Sequence, residues 1–123
     1  MRVLVTGGLG NVGSRAVRAL LAMGYEVVIF EHPSARQKRT RQSRALLGSA
    51  KGKLTIFYGD VSDAATMSAL GDLLQSKDVR AVLHLAGIIP PLATRAPELA
   101  QRINVEGTQN VIALCKHLPK PPR

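Results

Sequence analysis

Thr6-Gly7-Gly8-Leu9-Gly10-Asn11-Val12-Gly13 sets four glycines between an apolar run, Val3-Leu4-Val5, and the helical pattern Ala16, Val17, Leu20 and Leu21. Glycine lets a backbone turn sharply and come close to a ligand. A helix that starts directly after such a turn offers unpaired N–H groups and a partial positive charge to a pyrophosphate. The stretch has two spellings. Gly8, Gly10 and Gly13 satisfy G-x-G-x-x-G, while Gly7, Gly10 and Gly13 after Thr6 satisfy T-G-x-x-G-x-x-G. Gly7, Gly10, Asn11, Val12 and Gly13 are therefore candidate dinucleotide-binding residues; the plainer alternative is an ordinary tight turn. Glu31 stands 18 positions after Gly13, where a carboxylate accepts hydrogen bonds from the adenosine ribose hydroxyls and repels a 2′-phosphate. That favours NAD over NADP. The basic residues from Arg36 to Arg44 pull the other way, because an arginine just after this position can hold a 2′-phosphate, but they begin five residues later.

To place these residues, four strands must alternate with four helices. Residues 2–6, 26–31, 54–58 and 81–86 read as strands, and Val27-Val28-Ile29-Phe30 is apolar on both sides of the pleat, as a strand covered on both faces is. Helices are expected over 12–23, ended by Gly24, over 35–47, from Ser62-Asp63 onward, and over 97–117, opened by Pro97-Glu98. Strand alternating with helix predicts an α/β, doubly wound parallel sheet of Rossmann type in the order 3-2-1-4, stopping before a fifth strand. The ligand crevice falls where the order reverses, between strands one and four. The reading is one dinucleotide-binding domain over 1–117 and a Pro-rich tail over 118–123, extended or frayed, with no substrate domain.

The 123 residues are 46% hydrophobic and 20% charged, an ordinary globular balance. Cys115 is the sole cysteine, which excludes an intrachain disulfide and reads as a small apolar residue of a helix. No apolar run reaches the ~18 residues needed to cross a bilayer, and Met1-Arg2 leads straight into a strand, so the expectation is a cytoplasmic protein with no membrane contact. The net charge is +9. Arg36, Lys38, Arg39, Arg41, Arg44, Lys51 and Lys53 fall between Glu31 and Asp60 with no acid among them. The plainer reading of such a patch is a solvated helix face and loop; attraction to an acidic lipid surface or a phosphorylated ligand is an alternative, and so is nucleic-acid binding through 36–53. The absence of any aromatic between Phe30 and Phe57 disfavours it, since single strands are usually held by stacking.

Four motifs in order, Thr6 to Gly13, Gly59-Asp60-Val61-Ser62-Asp63, His84-Leu85-Ala86-Gly87 and Asn104-Val105-Glu106-Gly107-Thr108, carry a resemblance. From residue 1 to about 117 the chain resembles the N-terminal part of an extended short-chain dehydrogenase/reductase, of the NAD-dependent epimerase/dehydratase family that includes nucleotide-sugar epimerases. The resemblance implies that Asp60 accepts from the adenine amino group and that the Val61 amide reaches a ring nitrogen. It implies that Ala86 and Gly87 let the chain pass the ribose and nicotinamide side. Asn104 would bend its helix and help organise a water of the proton relay, and Gly107 would let that helix approach the sheet. His84 reads as a hydrogen-bonded strand residue rather than a catalytic one.

Catalysis in that family needs a Tyr-x-x-x-Lys pair. Tyr25 and Tyr58 are followed four residues on by Ile29 and Ser62, and no serine or threonine follows Thr108. The expected function is thus an NAD-binding module, inactive alone; the alternative is a non-catalytic NAD-sensing regulator. An unpaired edge of strand four, or the last helix, would then suit a second copy or a completing polypeptide.

Overall fold

A computed structural model describes residues 1–37, 41–49 and 53–123. Four parallel strands, β1 (Arg2–Thr6), β2 (Glu26–Glu31), β3 (Leu54–Tyr58) and β4 (Val79–His84), form one sheet in the order β3-β2-β1-β4. Alternation along the strands sends side chains to two cores. Val3 and Val5 of β1 and Val27 and Ile29 of β2 meet Val17 of α1 (Asn11–Ala22) and Leu46 of α2 (Arg41–Ser49). Leu4, Val28 and Phe30 face the other way, onto Met67, Leu70 and Leu74 of α3 (Ala64–Leu74) and onto Val111 and Leu114. Each of these fully buried side chains contributes about 1.5–3 kcal/mol. That double covering is why β2 is apolar at four successive positions. The sheet order is the expected one.

Three boundaries differ from the sequence pattern. β4 starts two residues earlier than expected: Val79 pairs with Arg2, and the register shifts before Val3 pairs with Ala81, so Val79 and Val82 reach the same core. It also ends at His84, because Leu85 and Ala86 turn their amides onto Thr6. A 3₁₀ turn (Pro33–Arg36), capped by His32, precedes α2, so the expected helix over 35–47 is set later.

The long helix expected over 97–117 is broken. Short α4 (Leu92–Arg95) and α5 (Pro97–Ala100) lead into a π-helical turn (Gln101–Glu106) and then α6 (Gly107–His117). Apolar spacing does not encode that turn; the hydrogen bonds of Asn104 explain it below. Cys115 packs half-buried against the α3 side of the core, and burial pushes its thiol up. The tail bends over 118–120 and then runs on to Arg123. Leu118 is buried, and Arg123 lies along β4: its amide donates to the Arg80 carbonyl (3.1 Å) and its carbonyl accepts from the Val82 amide (2.8 Å). Those two bonds are a parallel pairing opposite Ala81.

Candidate functional site

At the C-terminal end of β1 the chain turns through Gly7 at φ +71°, in the left-handed region that favours glycine. A Cβ at Gly7 would stand 2.8 Å from the Ala86 amide nitrogen and 2.9 Å from the Leu85 carbonyl. A Cβ at Gly13 would overlap the Gly7 carbonyl oxygen and lie 2.8 Å from the Gly8 Cα. So α1 starts hard against the turn because side chains are missing on both partners. Gly10 caps α1 in an extended conformation and is exposed. The first-turn amides of Asn11, Val12 and Gly13 stand ahead of the helix's own hydrogen-bond ladder, and no acidic side chain occupies that turn.

Glu31 closes the turn from β2. Its Oε2 accepts from the Leu9 amide (3.0 Å) and its Oε1 from the His32 amide (3.0 Å). Spacing alone marked Glu31 as a ribose ligand; the brace onto Leu9 needs the folded turn and was not readable. Arg36 lies elsewhere, its guanidinium 4.1 Å from the Tyr58 ring centroid. Among the other basic residues of 36–53, Arg41, Arg44 and Lys53 are exposed, while Lys38, Arg39 and Lys51 lie outside the described residues.

Asp60 follows β3 and folds back on itself, its Oδ1 accepting from the Ser62 amide (2.8 Å) and hydroxyl (2.7 Å). Partial burial pushes the carboxyl up, but the two Ser62 bonds, with the charges of His32 and Arg102, outweigh it and hold the group below the ordinary carboxylate range. Val61 is buried under α6; a Cβ at Gly107 would stand 2.8 Å from its Cγ1. Its carbonyl accepts from the Asn110 side-chain Nδ2 (3.0 Å).

His84 is the hydrogen-bonded residue the pattern suggested. Its Nδ1 lies 2.7 Å from the Thr6 hydroxyl and its Nε2 2.9 Å from the Thr108 hydroxyl. The Leu85 and Ala86 amides, each at 3.1 Å, also donate to Thr6 Oγ1. Thr108 donates to the Asn104 carbonyl (2.6 Å). The Asn104 carboxamide grips Ile88 twice, accepting from its amide and donating to its carbonyl, both at 2.8 Å. Asn104 lies within the π-helical turn Gln101–Glu106. Its side chain is bonded to the loop after β4, using one of its two N–H donors and one of its two acceptor sites. Gly87 passes beneath it, where a Cβ would meet Asn104 Oδ1 at 3.1 Å.

Burial draws the His84 imidazole below its ordinary value of about 6.5. The folded chain therefore binds fewer protons there than the unfolded chain just below that pH. Stability from this group is complete above about pH 6.5 and is lost as the pH falls through it. Thermal melts are expected to show a lower midpoint at pH 5.5 than at pH 8; a flat profile would contradict the burial of the ring.

The turn, Glu31, Asp60 and the loop after β4 line one cleft of about 640 Å³ at the strand ends, between β1 and β4 where the order reverses. Gly7, Gly10, Asn11, Glu31, Asp60, Val61, Ala86 and Gly87 all border it. Val12 and Gly13 do not; Val12 projects outward and Gly13 is packed under Gly7. His32, Ser34, Leu99, Arg102 and Ile103 are among the other residues of the wall. Of these, Leu99, Arg102 and Ile103 carried a signal that went unread, the spacing of one helix face. Among the described residues, no helix is long and apolar enough to cross a membrane.

The model of the NAD dependent epimerase/dehydratase family matches residues 3–122. UDP-glucose 4-epimerase of Erwinia amylovora is 36% identical over 110 residues, covering 88% of this chain and 31% of its own length. A 3-beta-hydroxysteroid dehydrogenase of Mycolicibacterium neoaurum is 37% identical over 120 residues, covering 90% and 27%. The structure of Thermus thermophilus UDP-glucose 4-epimerase in complex with NAD superposes with a TM-score of 0.74 at 28% identity, covering 94% of this chain and 34% of that one. The chain thus spans about a third of the length of these relatives.

Proposed function

The chain belongs to the NAD dependent epimerase/dehydratase family, and we propose that it holds NAD in the cleft between β1 and β4. The observation that carries this is the Gly7–Gly13 contact, a cradle that a Cβ at either position would fill. Asn11, Val12 and Gly13 amides bind the pyrophosphate, and Gly10 leaves the approach open. Glu31 has lone pairs beyond its two amide bonds and takes the ribose hydroxyls. Asp60 and the Val61 amide take the adenine edge. Ala86 and Gly87 leave room for the nicotinamide end, whose bound ring supplies hydride acceptance and return. Glu31 and the parking of Arg36 on Tyr58 both favour NAD over NADP.

The substrate is a hydroxyl compound, a nucleotide-linked sugar being the class that the epimerase relatives support. The dehydrogenase relatives share the same cofactor half with other substrates, so this part of the chain reads the cofactor rather than the substrate. Chemistry requires a Tyr-x-x-x-Lys pair from elsewhere in the polypeptide or from a partner. The edge of β4, where Arg123 already pairs opposite Ala81, and the half-exposed Ile112 of α6 are where such a polypeptide, or a second copy, docks.

Calorimetric titration at pH 8 tests the reading: NAD is expected to bind more tightly than NADP, and a folded sample that takes up neither would overturn it. Glu31→Ala is expected to weaken NAD by about tenfold to a hundredfold, roughly 1.4–2.7 kcal/mol, and to narrow the preference over NADP. Unchanged affinities would show that this carboxylate does not meet the ribose.

A further inference from the structure

We propose that His84 is a positioning residue that holds the two walls of the cleft in register through its neutral, Nε2-protonated tautomer. The coupling between the walls stands on the geometry alone; its effect on dinucleotide affinity rests on the function proposed above.

The proton positions follow from counting. A threonine hydroxyl has one hydrogen and two lone pairs. The Leu85 and Ala86 amides donate to Thr6 Oγ1, so both lone pairs are used. The Thr6 hydrogen then goes to His84 Nδ1, 2.7 Å away. Nδ1 is the acceptor, and Nε2 carries the ring hydrogen. It donates to Thr108 Oγ1, whose own hydrogen goes to the Asn104 carbonyl. The Leu85 amide is shared between Thr6 Oγ1 and the Thr6 main-chain carbonyl, and the side-chain bonds run in one direction: Thr6 to His84 to Thr108 to Asn104. Asn104 then clamps Ile88 with its carboxamide.

This chain of bonds joins parts that sequence keeps far apart. Thr6 is the last residue of β1, directly before the phosphate turn. Ile88 belongs to the opposite wall. Thr6 bonds the Leu85 and Ala86 amides directly, and the imidazole adds a second link that runs on through Thr108 and Asn104 to Ile88. A second proton on the ring would sit on Nδ1, and Thr6 Oγ1 has no lone pair left to receive it. Protonation must therefore break the Thr6–His84 bond or displace the Leu85 or the Ala86 amide from Thr6 Oγ1, and the Leu85 amide alone has a second acceptor in the Thr6 main-chain carbonyl. Loss of the His84 or the Ala86 bond loosens the loop that forms the cleft mouth.

The groups that face the ring are uncharged: Thr6 from β1, Thr108 from α6 and the Asn104 carbonyl from the π-helical turn. Burial is the one influence on its titration, and it acts in the same direction as the bonding. The titratable and charged groups of the cleft are Glu31, His32, Asp60 and Arg102; Arg102 shares the π-helical turn with Asn104, and none of the four is hydrogen-bonded to the ring.

Long-range proton–nitrogen spectra of the histidine rings, recorded without ligand from pH 8 to pH 4.5, test the coupling. His84 is expected as the Nε2–H tautomer, titrating below the ordinary imidazole range, and the protection of the Ile88 amide, taken relative to its intrinsic exchange rate at each pH, is expected to fall about tenfold through that same transition. An Nδ1–H tautomer, or an Ile88 amide indifferent to the His84 titration, would overturn the proposal. Thr108→Val, which keeps the imidazole and cuts only its lower bond, is expected to speed Ile88 exchange at least fivefold at pH 8; no change would overturn it equally. NAD titrations of the unaltered protein and of His84→Gln complete the set. The part of the acid-side loss of affinity due to His84 is expected to vanish in the variant, and an identical pH profile in both counts against the proposal. Absence of NAD binding at every pH would overturn the cofactor reading, while the ring spectra would still decide the coupling.

Discussion

Alanine at position 13 is expected to abolish measurable dinucleotide binding and to destabilise the fold by about 3 kcal/mol. The added carbon would overlap the Gly7 carbonyl oxygen and press on the Gly8 Cα. Both are backbone atoms of a turn whose other side is already tight: Gly7 lies under the Ala86 amide, and the Gly10 amide is bonded to the Gly7 carbonyl at 3.2 Å. Overpacking usually costs about 1–3 kcal/mol, and the upper end applies where no flexible side chain can yield. Either α1 backs away, which takes its first-turn amides out of reach of a phosphate, or the turn opens, which breaks the Leu9–Glu31 bond. Calorimetry is expected to show at least a hundredfold loss for NAD, and thermal melting a clearly lower midpoint. Gly48→Ala is the control, since nothing lies within 4 Å of a Cβ there; in a helix it gains up to about 1 kcal/mol and leaves NAD affinity alone. Equal behaviour of the two variants would show that the turn is not the phosphate cradle.

The glycine turn and the sheet order were legible because each is written in local terms. A glycine run between an apolar strand and an amphipathic helix has few other structural uses, and four short apolar runs separated by helices leave few topologies. What was not legible depends on contacts between distant residues. The π-helical turn arises because Asn104 reaches across 16 positions to Ile88, and no periodicity within 97–117 announces it. The early start of β4 depends on a register shift against β1. Glu31 was assigned from its spacing, yet its bond to the Leu9 amide exists only once β2 lies beside β1. The nucleic-acid reading of 36–53 gains nothing from the described residues, where Arg36 is stacked on Tyr58.

Thr6→Val separates bonding from shape at the base of the cleft. Valine nearly matches threonine in volume, so the completely buried position stays filled and no cavity opens. What disappears is one hydroxyl with three neighbours: His84 Nδ1 and the Leu85 and Ala86 amides. Leu85 is cushioned, because its amide also donates to the Thr6 main-chain carbonyl at 3.1 Å. Ala86 and His84 lose their partner. A buried polar group left unsatisfied costs about 1–3 kcal/mol, so the expected destabilisation is about 3 kcal/mol, with a parallel weakening of NAD binding as the loop after β4 comes free. Thr6→Ser reverses the experiment by keeping the hydroxyl and deleting the methyl, for a loss of about 1 kcal/mol. Chemical denaturation of the two variants decides which feature of this residue matters. Valine falling well below serine identifies the hydroxyl as the link between strand and loop; serine falling as far as valine would mean that Thr6 is there only to fill space, and the bonded wall of the cleft would have no anchor in β1.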